Sequence, residues 1–450
     1  MVQAETRKLA AIMFTDIVGT LVTVRYLPFL RLLLSPPQPF APNTEATLPP
    51  LPLPDKPSIV VLPFANMSND PSQDYFSDGI TEDITTGLSR LSSLFVISRN
   101  TAFFYKGKAV KLSDLSKELG VQYVLEGSVR RADGQVRVTA QLIDATNDHH
   151  LWAERYDRPL KDIFALQDEI VQKIVTTLKL QLTLMEQGVL VRKTTDNLEA
   201  YDTFLRGLES SSRALYEASK AANTQTRHLY EHAIELDPAY VGPYTGLGGT
   251  YFLEYFYRWD FTPQTLARAG ELARQDVMLD ESFPPAHVLL GFVYLWQKQQ
   301  DLALQEAERT VALNPNLAEG YSLLGSILSF NGRPEEGAAR IQQAMRLNPR
   351  YPPLLLLNLS FAYRLAGRYD EAISLLKKLL ARQPNFPPAY FELAICYAQL
   401  DRLEEARAAA TEMQRLNPFW SLEGWKQRSP YKDPAFLERD HAALRKAGFK

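Results

Sequence analysis

LNPNLAEGYSLLGSILSFNGRPEEGAARIQQAMRLNP, residues 313 to 349, begins and ends on the same tripeptide. Between the two prolines, Tyr321, Leu324 and Gly325, and then Gly337 and Ala344, set bulky, leucine and small residues at helical spacing. Small residues let two helices approach closely, and the closing proline cannot continue the second one. The same punctuation ends at Pro238, Pro315, Pro349, Pro384 and Pro418, the last four standing 34, 35 and 34 residues apart. Leu356, Leu359, Tyr363, Ala372 and Leu376 precede Pro384, and Tyr390, Leu393, Ala394, Tyr397 and Ala406 precede Pro418. Ahead of Pro315, Leu290, Gly291, Tyr294 and Ala303 repeat the pattern once more.

This period resembles that of tetratricopeptide repeats, helix hairpins whose apolar face is buried only by stacking on a neighbour. The resemblance spans residues 284–418. Looser helical units fill 197–281, clearest at Tyr244, Leu247, Gly248 and Tyr251. Residues 419–450 keep apolar helical character and are expected to cap an all-α right-handed solenoid.

Upstream the pattern changes. SIVVLPF (58–64) and LFVIS (94–98) are short β-branched or apolar runs of buried-strand type, with an amphipathic helix between them carrying Phe76, Ile80, Ile84, Leu88 and Leu91 on one face. A short helix over 112–120 stops on glycine. Asp133-Gly134 joins two alternating strands as a hairpin turn, HLWAERYDR (150–158) is a further strand, and 160–182 reads as one long amphipathic helix. Residues 58–184 are therefore expected to form one α/β domain. Nine prolines lie within residues 36–57, which marks an extended spacer rather than core.

KPSIVVLPFANMS, YFSDGITEDI, LGVQYVLEGSVRR and HLWAERYD resemble the TolB-like, FlgO-type domain of bacterial proteins that follow a class III cyclase domain with a TolB-like domain and tetratricopeptide repeats. RKLAAIMFTDIVG, residues 7–19, is similar to the first strand of such a cyclase domain, where the resemblance makes Asp16 a metal ligand. Two-metal catalysis needs a second carboxylate, and between Gly19 and Ser58 only Glu45 and Asp55 are acidic, both in the proline-rich stretch or beside it. Residues 1–20 are thus read as a remnant of that strand, 21–57 as a short apolar segment and linker, and Asp16 as vestigial. No cofactor and no catalytic residue is expected. The alternative keeps the chain in the adenylate cyclase family, with the catalytic domain missing or supplied elsewhere.

The remaining chemistry is sparse. Lysine and arginine number 49 against 52 acids, evenly spread, so nucleic acid is not an expected partner. Cys396, the single cysteine, excludes an intramolecular disulfide and lies in a repeat helix without a nearby histidine to activate it. Residues 20–35 are interrupted by Arg25, Pro28 and Arg31, too short and charged for a span. A cytoplasmic location is expected, with the inner-membrane surface as alternative. HLYEH (228–232) matches an H-x-x-E-H zinc pattern formally, but its setting is a repeat helix, so His228 and His232 are read as solvent-facing or packed side chains rather than zinc ligands, and His149 and His150 as edge or turn residues.

The surface best suited to function is the inner face of the repeats. By the resemblance it is lined by Val288, Phe292, Trp296, Ser322, Ser326, Phe330, Leu357, Phe361, Arg364, Phe391, Ile395 and Gln399. This set is mostly apolar with one cation. It lacks the lysines and asparagines that grip a C-terminal carboxylate, and it points to an apolar helix or extended peptide as ligand. Self-association is left open.

Overall fold

The computed structural model describes residues 50–180, 182, 195–216, 219–257, 259–418 and 420–449. Asp16 and the apolar segment 20–35 lie outside the described residues.

β1 (Ser58–Val61) is buried at every position and runs parallel to β3 (Phe95–Val96) on one side and β4 (Tyr123–Ala132) on the other. Its unbroken apolar run follows from cover on both faces. β5 (Gln135–Asp144) and β6 (His149–Pro159) extend the sheet antiparallel in the order β3-β1-β4-β5-β6, and β2 (Ala65–Asn66) pairs with β4. The β4–β5 turn is Asp133-Gly134, with φ of +51° and +72°, the left-handed pair that a two-residue hairpin requires.

α1 (Asp74–Ser89) and α4 (Ile163–Thr177) cover one face, where Phe76, Ile80, Ile84 and Leu88 pack with Ile59, Val61, Ile170 and Ile174. α2 (Arg99–Phe103) and α3 (Leu112–Leu119) cover the other through Ala102, Leu115 and Leu119 against Val60 and Val124. The helix expected over 160–182 is shorter than its periodicity. It begins after a 3-10 turn at Leu160–Asp162 and ends at Thr177, because Thr176 and Thr177 turn their hydroxyls back to Gln172 and Lys173 carbonyls and Lys179 takes φ +53°.

The rest is helix hairpins: α5 (Leu198–Tyr216), α6 (Lys220–Leu236), α7 (Pro243–Phe256), α8 (Pro263–Leu279), α9 (Pro284–Trp296), α10 (Gln300–Leu313), α11 (Ala318–Phe330) and α12 (Pro334–Leu347). α13 (Pro353–Leu365), α14 (Tyr369–Arg382), α15 (Pro387–Gln399) and α16 (Leu403–Leu416) complete the stack, followed by α17 (Leu422–Arg428) and α18 (Pro434–Lys446). Asn314, Gln383 and Asn417 close their helices with φ near extended values (−143°, −137°, −137°) and Asn348 with −129°. Each precedes a proline, which disfavours the helical conformation in the residue before it. That is the physical content of the repeated tripeptide. The turn inside each of the last four hairpins carries one left-handed residue, Lys298, Gly332, Gly367 or Asp401.

The small positions serve close approach. A Cβ on Gly325 would lie 2.5 Å from Ile341 Cγ1 and 2.6 Å from the Gly337 carbonyl oxygen, so α11 and α12 cross at backbone contact. Ala303, Ala344, Ala372 and Ala406 are fully buried. The sheet and the stack also share a core: Ala200, Tyr201 and Leu205 of α5 join the cluster of α1 and α4. Tyr201 donates its hydroxyl to Asp83, whose Oδ2 also accepts from Gln167 Nε2 at 2.9 Å.

Candidate functional site

The first helices of successive hairpins (α7, α9, α11, α13, α15) contact one another, whereas the second helices stay further apart, so the first helices line the inner side of the curve. Aromatic rings form a row along it. Phe252 lies 5.6 Å from Phe292, Phe256 6.4 Å from Trp296, and Phe330 4.5 Å from Phe361. Val288, Ser322 and Leu357 are half-buried between these rings. Ser322 Oγ accepts from Asn358 Nδ2 at 3.1 Å, which ties α11 to α13. Ile395 is fully buried and Ser326 nearly so, which makes them packing residues of the stack rather than open surface.

Two parts of the chain border this face, at opposite ends of its helices. At the N-terminal ends of α11 and α13 stands the α/β layer. Asn316 Nδ2 donates to the carbonyls of Ser89, Leu91 and Leu94 at 2.9, 3.1 and 3.0 Å, while its Oδ1 accepts from the Val96 amide at 3.2 Å. One repeat on, Asn348 Oδ1 accepts from Thr101 Oγ1 at 2.7 Å and Leu347 O from the Ser98 amide at 2.8 Å. Arg346 reaches the carbonyls of Leu119, Gly120 and Pro52 at 2.9–3.0 Å, and Arg350 pairs with Glu118. The repeat boundaries therefore also meet the neighbouring layer, Asn316 and Arg346 through its main chain and the tripeptide asparagines Asn314 and Asn348 through the hydroxyls of Ser89 and Thr101.

At the C-terminal ends of the same helices runs the segment 420–449. Tyr431 packs 5.3 Å from Phe330 and 6.2 Å from Phe361, and Trp425 lies 5.5 Å from Phe391. Its centre is Arg364, which has no exposed surface. Arg364 donates to Glu392 Oε2 at 2.5 Å, to Asp440 Oδ2 at 2.6 Å and to the Tyr431 hydroxyl at 3.1 Å, and Tyr431 in turn donates to Asp440 at 2.7 Å. Burial alone would lower the guanidinium, but Asp440 and Glu392 outweigh it and hold Arg364 well above its ordinary value. Burial raises Glu392, against the pull of Arg364. Burial keeps the Tyr431 phenol protonated far above its usual range, so it remains a donor. Such a cluster can anchor a segment. It has no exposed nucleophile: Cys396 beside it is fully buried, and burial drives its thiol far upward.

Of the residues read from sequence, Phe330, Phe361, Arg364, Phe391 and Gln399 meet this C-terminal segment, Gln399 through the Arg439 carbonyl at 3.3 Å. Phe292 and Trp296 gather instead with Phe252, Tyr255 and Phe256. Tyr431, Asp440 and Glu392 were not foreseen. The available signal was Arg364 itself, since a cation on an apolar face needs carboxylates brought to it. His228 and His232 stand exposed on α6 beside Glu231 and Glu235, and among the described residues no three metal-ligating side chains gather. No helix among them is long and apolar enough to cross a membrane.

Comparison with known proteins agrees on the repeats. Two tetratricopeptide-repeat family models match residues 322–384 and 363–421, so the chain carries tetratricopeptide repeats. "Putative adenylate cyclase 3" of Rhizobium meliloti (strain 1021) is 44% identical over 263 residues, 58% of this chain and 44% of that protein. "Antiviral innate immune response effector IFIT1" of Macaca fascicularis is 29% identical over 122 residues, 27% of this chain and 25% of that one. The chain thus spans less than half the length of these curated relatives. Among solved structures, "YrrB: a TPR protein with an unusual peptide-binding site" is 20% identical with a TM-score of 0.30, covering 42% of this chain and 93% of its own. PilW, a "type IV pilus biogenesis factor", is 23% identical with a TM-score of 0.35, covering 45% and 90%.

Proposed function

We propose that this chain is a non-catalytic scaffold of bacterial signalling whose repeats hold a protein segment on their inner face. The observation that carries this reading is the aromatic row ending at Arg364, a surface already engaged with a peptide stretch that offers rings and a carboxylate. Aromatic anchors beside a buried cation are the composition of an interface centre rather than of a reaction site. The α/β layer is read as TolB-like. Its four sequence motifs and the mixed sheet flanked by helices support that reading, with a sensing or assembly role beside the repeats.

A full-length chain used to select phage-displayed helical peptides tests the scaffold role. Binders should lose affinity at least tenfold on Leu357→Arg, on the inner face, and keep it on Leu302→Arg, exposed on α10. Binders indifferent to Leu357→Arg would refute the inner face as the site.

The 44% identity to a relative named as an adenylate cyclase favours a second reading, membership of a cyclic-nucleotide signalling family. Purified protein given ATP with magnesium or manganese should form no cyclic nucleotide. Product that disappears in Asp16→Ala would overturn the non-catalytic reading.

A further inference from the structure

The segment 420–449 crosses the inner face from the α9–α10 turn to α15 as a strap. Its two ends are seated in the core: Leu422 on one side, and Ala443, Leu444 and Phe449 on the other, are buried with α15 and α16. Its middle is held differently. Lys298 Nζ donates to the Gln427 carbonyl at 2.7 Å and Gln300 Nε2 to the Pro430 carbonyl at 3.1 Å, while the Phe330 carbonyl accepts from the Lys432 amide at 3.0 Å. These bonds go to the strap's main chain, so a different peptide could replace each of them. Among the contacts that depend on side-chain identity, the buried ones centre on Tyr431, whose ring lies against Phe330 and Phe361, and on Asp440, which pairs with Arg364. Arg428 over the Phe261 ring and the exposed Lys432–Asp301 pair add to them. Residues 432–435, between Tyr431 and Asp440, face solvent.

On the reading of the inner face as a partner site, on which this rests, we infer that residues 427–440 are an intramolecular ligand that shields the face. The external ligand is then a peptide of the same chemistry, an aromatic hydroxyl followed nine residues later by a carboxylate, and it binds by displacing the strap. Arg364 enforces the match. Fully buried between two carboxylates, it would be left with Glu392 alone when the strap leaves, and an incoming acid restores the second partner. An apolar peptide without that acid covers the rings but leaves the cation underpaired.

The test uses full-length protein and a fluorescein-labelled synthetic peptide of residues 420–449, read by fluorescence anisotropy. Wild type, with its strap seated, should bind the peptide at least tenfold more weakly than the full-length Asp440→Asn variant, whose strap has lost its anchor. A peptide carrying the same Asp440→Asn change should lose that gain, and because this arm alters only the peptide, it is independent of how well the protein variant folds. Equal binding to wild type and Asp440→Asn would overturn the inference while leaving the inner-face reading intact. No binding to either chain, with unchanged melting temperatures, would show the strap to be a fixed cap and overturn it as well. Peptide binding unaffected by Leu357→Arg would instead sink the inner-face reading itself.

Discussion

The two borders of the inner face are built from different chemistry. Against the α/β layer, neutral amides and arginines are matched to main-chain groups: Asn316 alone satisfies three carbonyls and one amide, and Arg346 three more carbonyls. Against the C-terminal strap, main-chain bonds are fewer and a single buried charge cluster supplies the specificity. The first border fails piecemeal, since several independent residues hold it. The second has one point of release, Arg364 with Asp440 and Tyr431. A layer meant to stay and a segment meant to move would be expected to differ in this way.

The largest effects should come from orphaning buried groups. Asn316→Leu strands the Ser89 and Leu94 carbonyls and the Val96 amide, while the Leu91 carbonyl keeps the Leu94 amide at 3.2 Å. At about 1–3 kcal/mol for each unpaired buried group it should cost about 4 kcal/mol or more in denaturant melts. Arg364→Met removes the buried cation between Glu392 and Asp440, leaving Glu392 unpaired and Asp440 with Arg439 at 3.4 Å as its only cation, a loss of about 3–5 kcal/mol. Its cost should come with early proteolytic cleavage between residues 427 and 434, whereas the Asn316 variant should be cut first in the α/β layer.

Gly120→Ala comes next. Gly120 has φ +60°, and a Cβ there would meet the Pro52 carbonyl oxygen at 2.5 Å and Arg346 Nη2 at 2.7 Å, so about 2 kcal/mol is expected from strain and displacement of the arginine. Lys432→Ala, which breaks only an exposed pair with Asp301, should change stability by less than about 0.5 kcal/mol. A strap held chiefly by its exposed ion pairs would reverse these rankings.

A pH dependence is expected on the α/β side. Burial, aided by the carboxylates of Glu82 and Asp168, pushes Asp83 up to about 7 against the hydrogen bonds from Tyr201 and Gln167. Folded protein therefore keeps this proton where the unfolded chain has lost it, and stability should fall as pH rises from about 4 to about 7 and then level off. Asp83→Asn, which retains both acceptor contacts, should melt higher than wild type at pH 8 and differ little at pH 4.

Much of the stack could be read in the sequence because its rules are local. A proline fixes the residue before it, a leucine or small residue recurs with the helical period, and the 34-residue spacing follows. Asp133-Gly134 was legible for the same reason. The strap was not, since nothing in Tyr431 or Asp440 announces a partner 67 or 76 residues earlier. Nor did the tripeptide reveal that Asn314, Asn316 and Asn348 serve a second role, with Asn314 Nδ2 donating to Ser89 Oγ at 2.8 Å across 225 residues. Periodicity records what a residue does within its repeat and is silent about contacts made across the fold. The end of α4 shows the local limit, where two threonines and a left-handed lysine stop a helix that hydrophobic spacing would carry on.

Native-state hydrogen exchange on the full-length protein compares the two borders directly. Amides of α17 and α18 and of residues 429–433 should exchange through a partial opening, distinctly faster than those of α11, β1 and β4, and Asp440→Asn should accelerate them alone. Exchange of the strap at the same rate as α11, with Asp440→Asn loosening both together, would show that the inner face is never uncovered short of global unfolding.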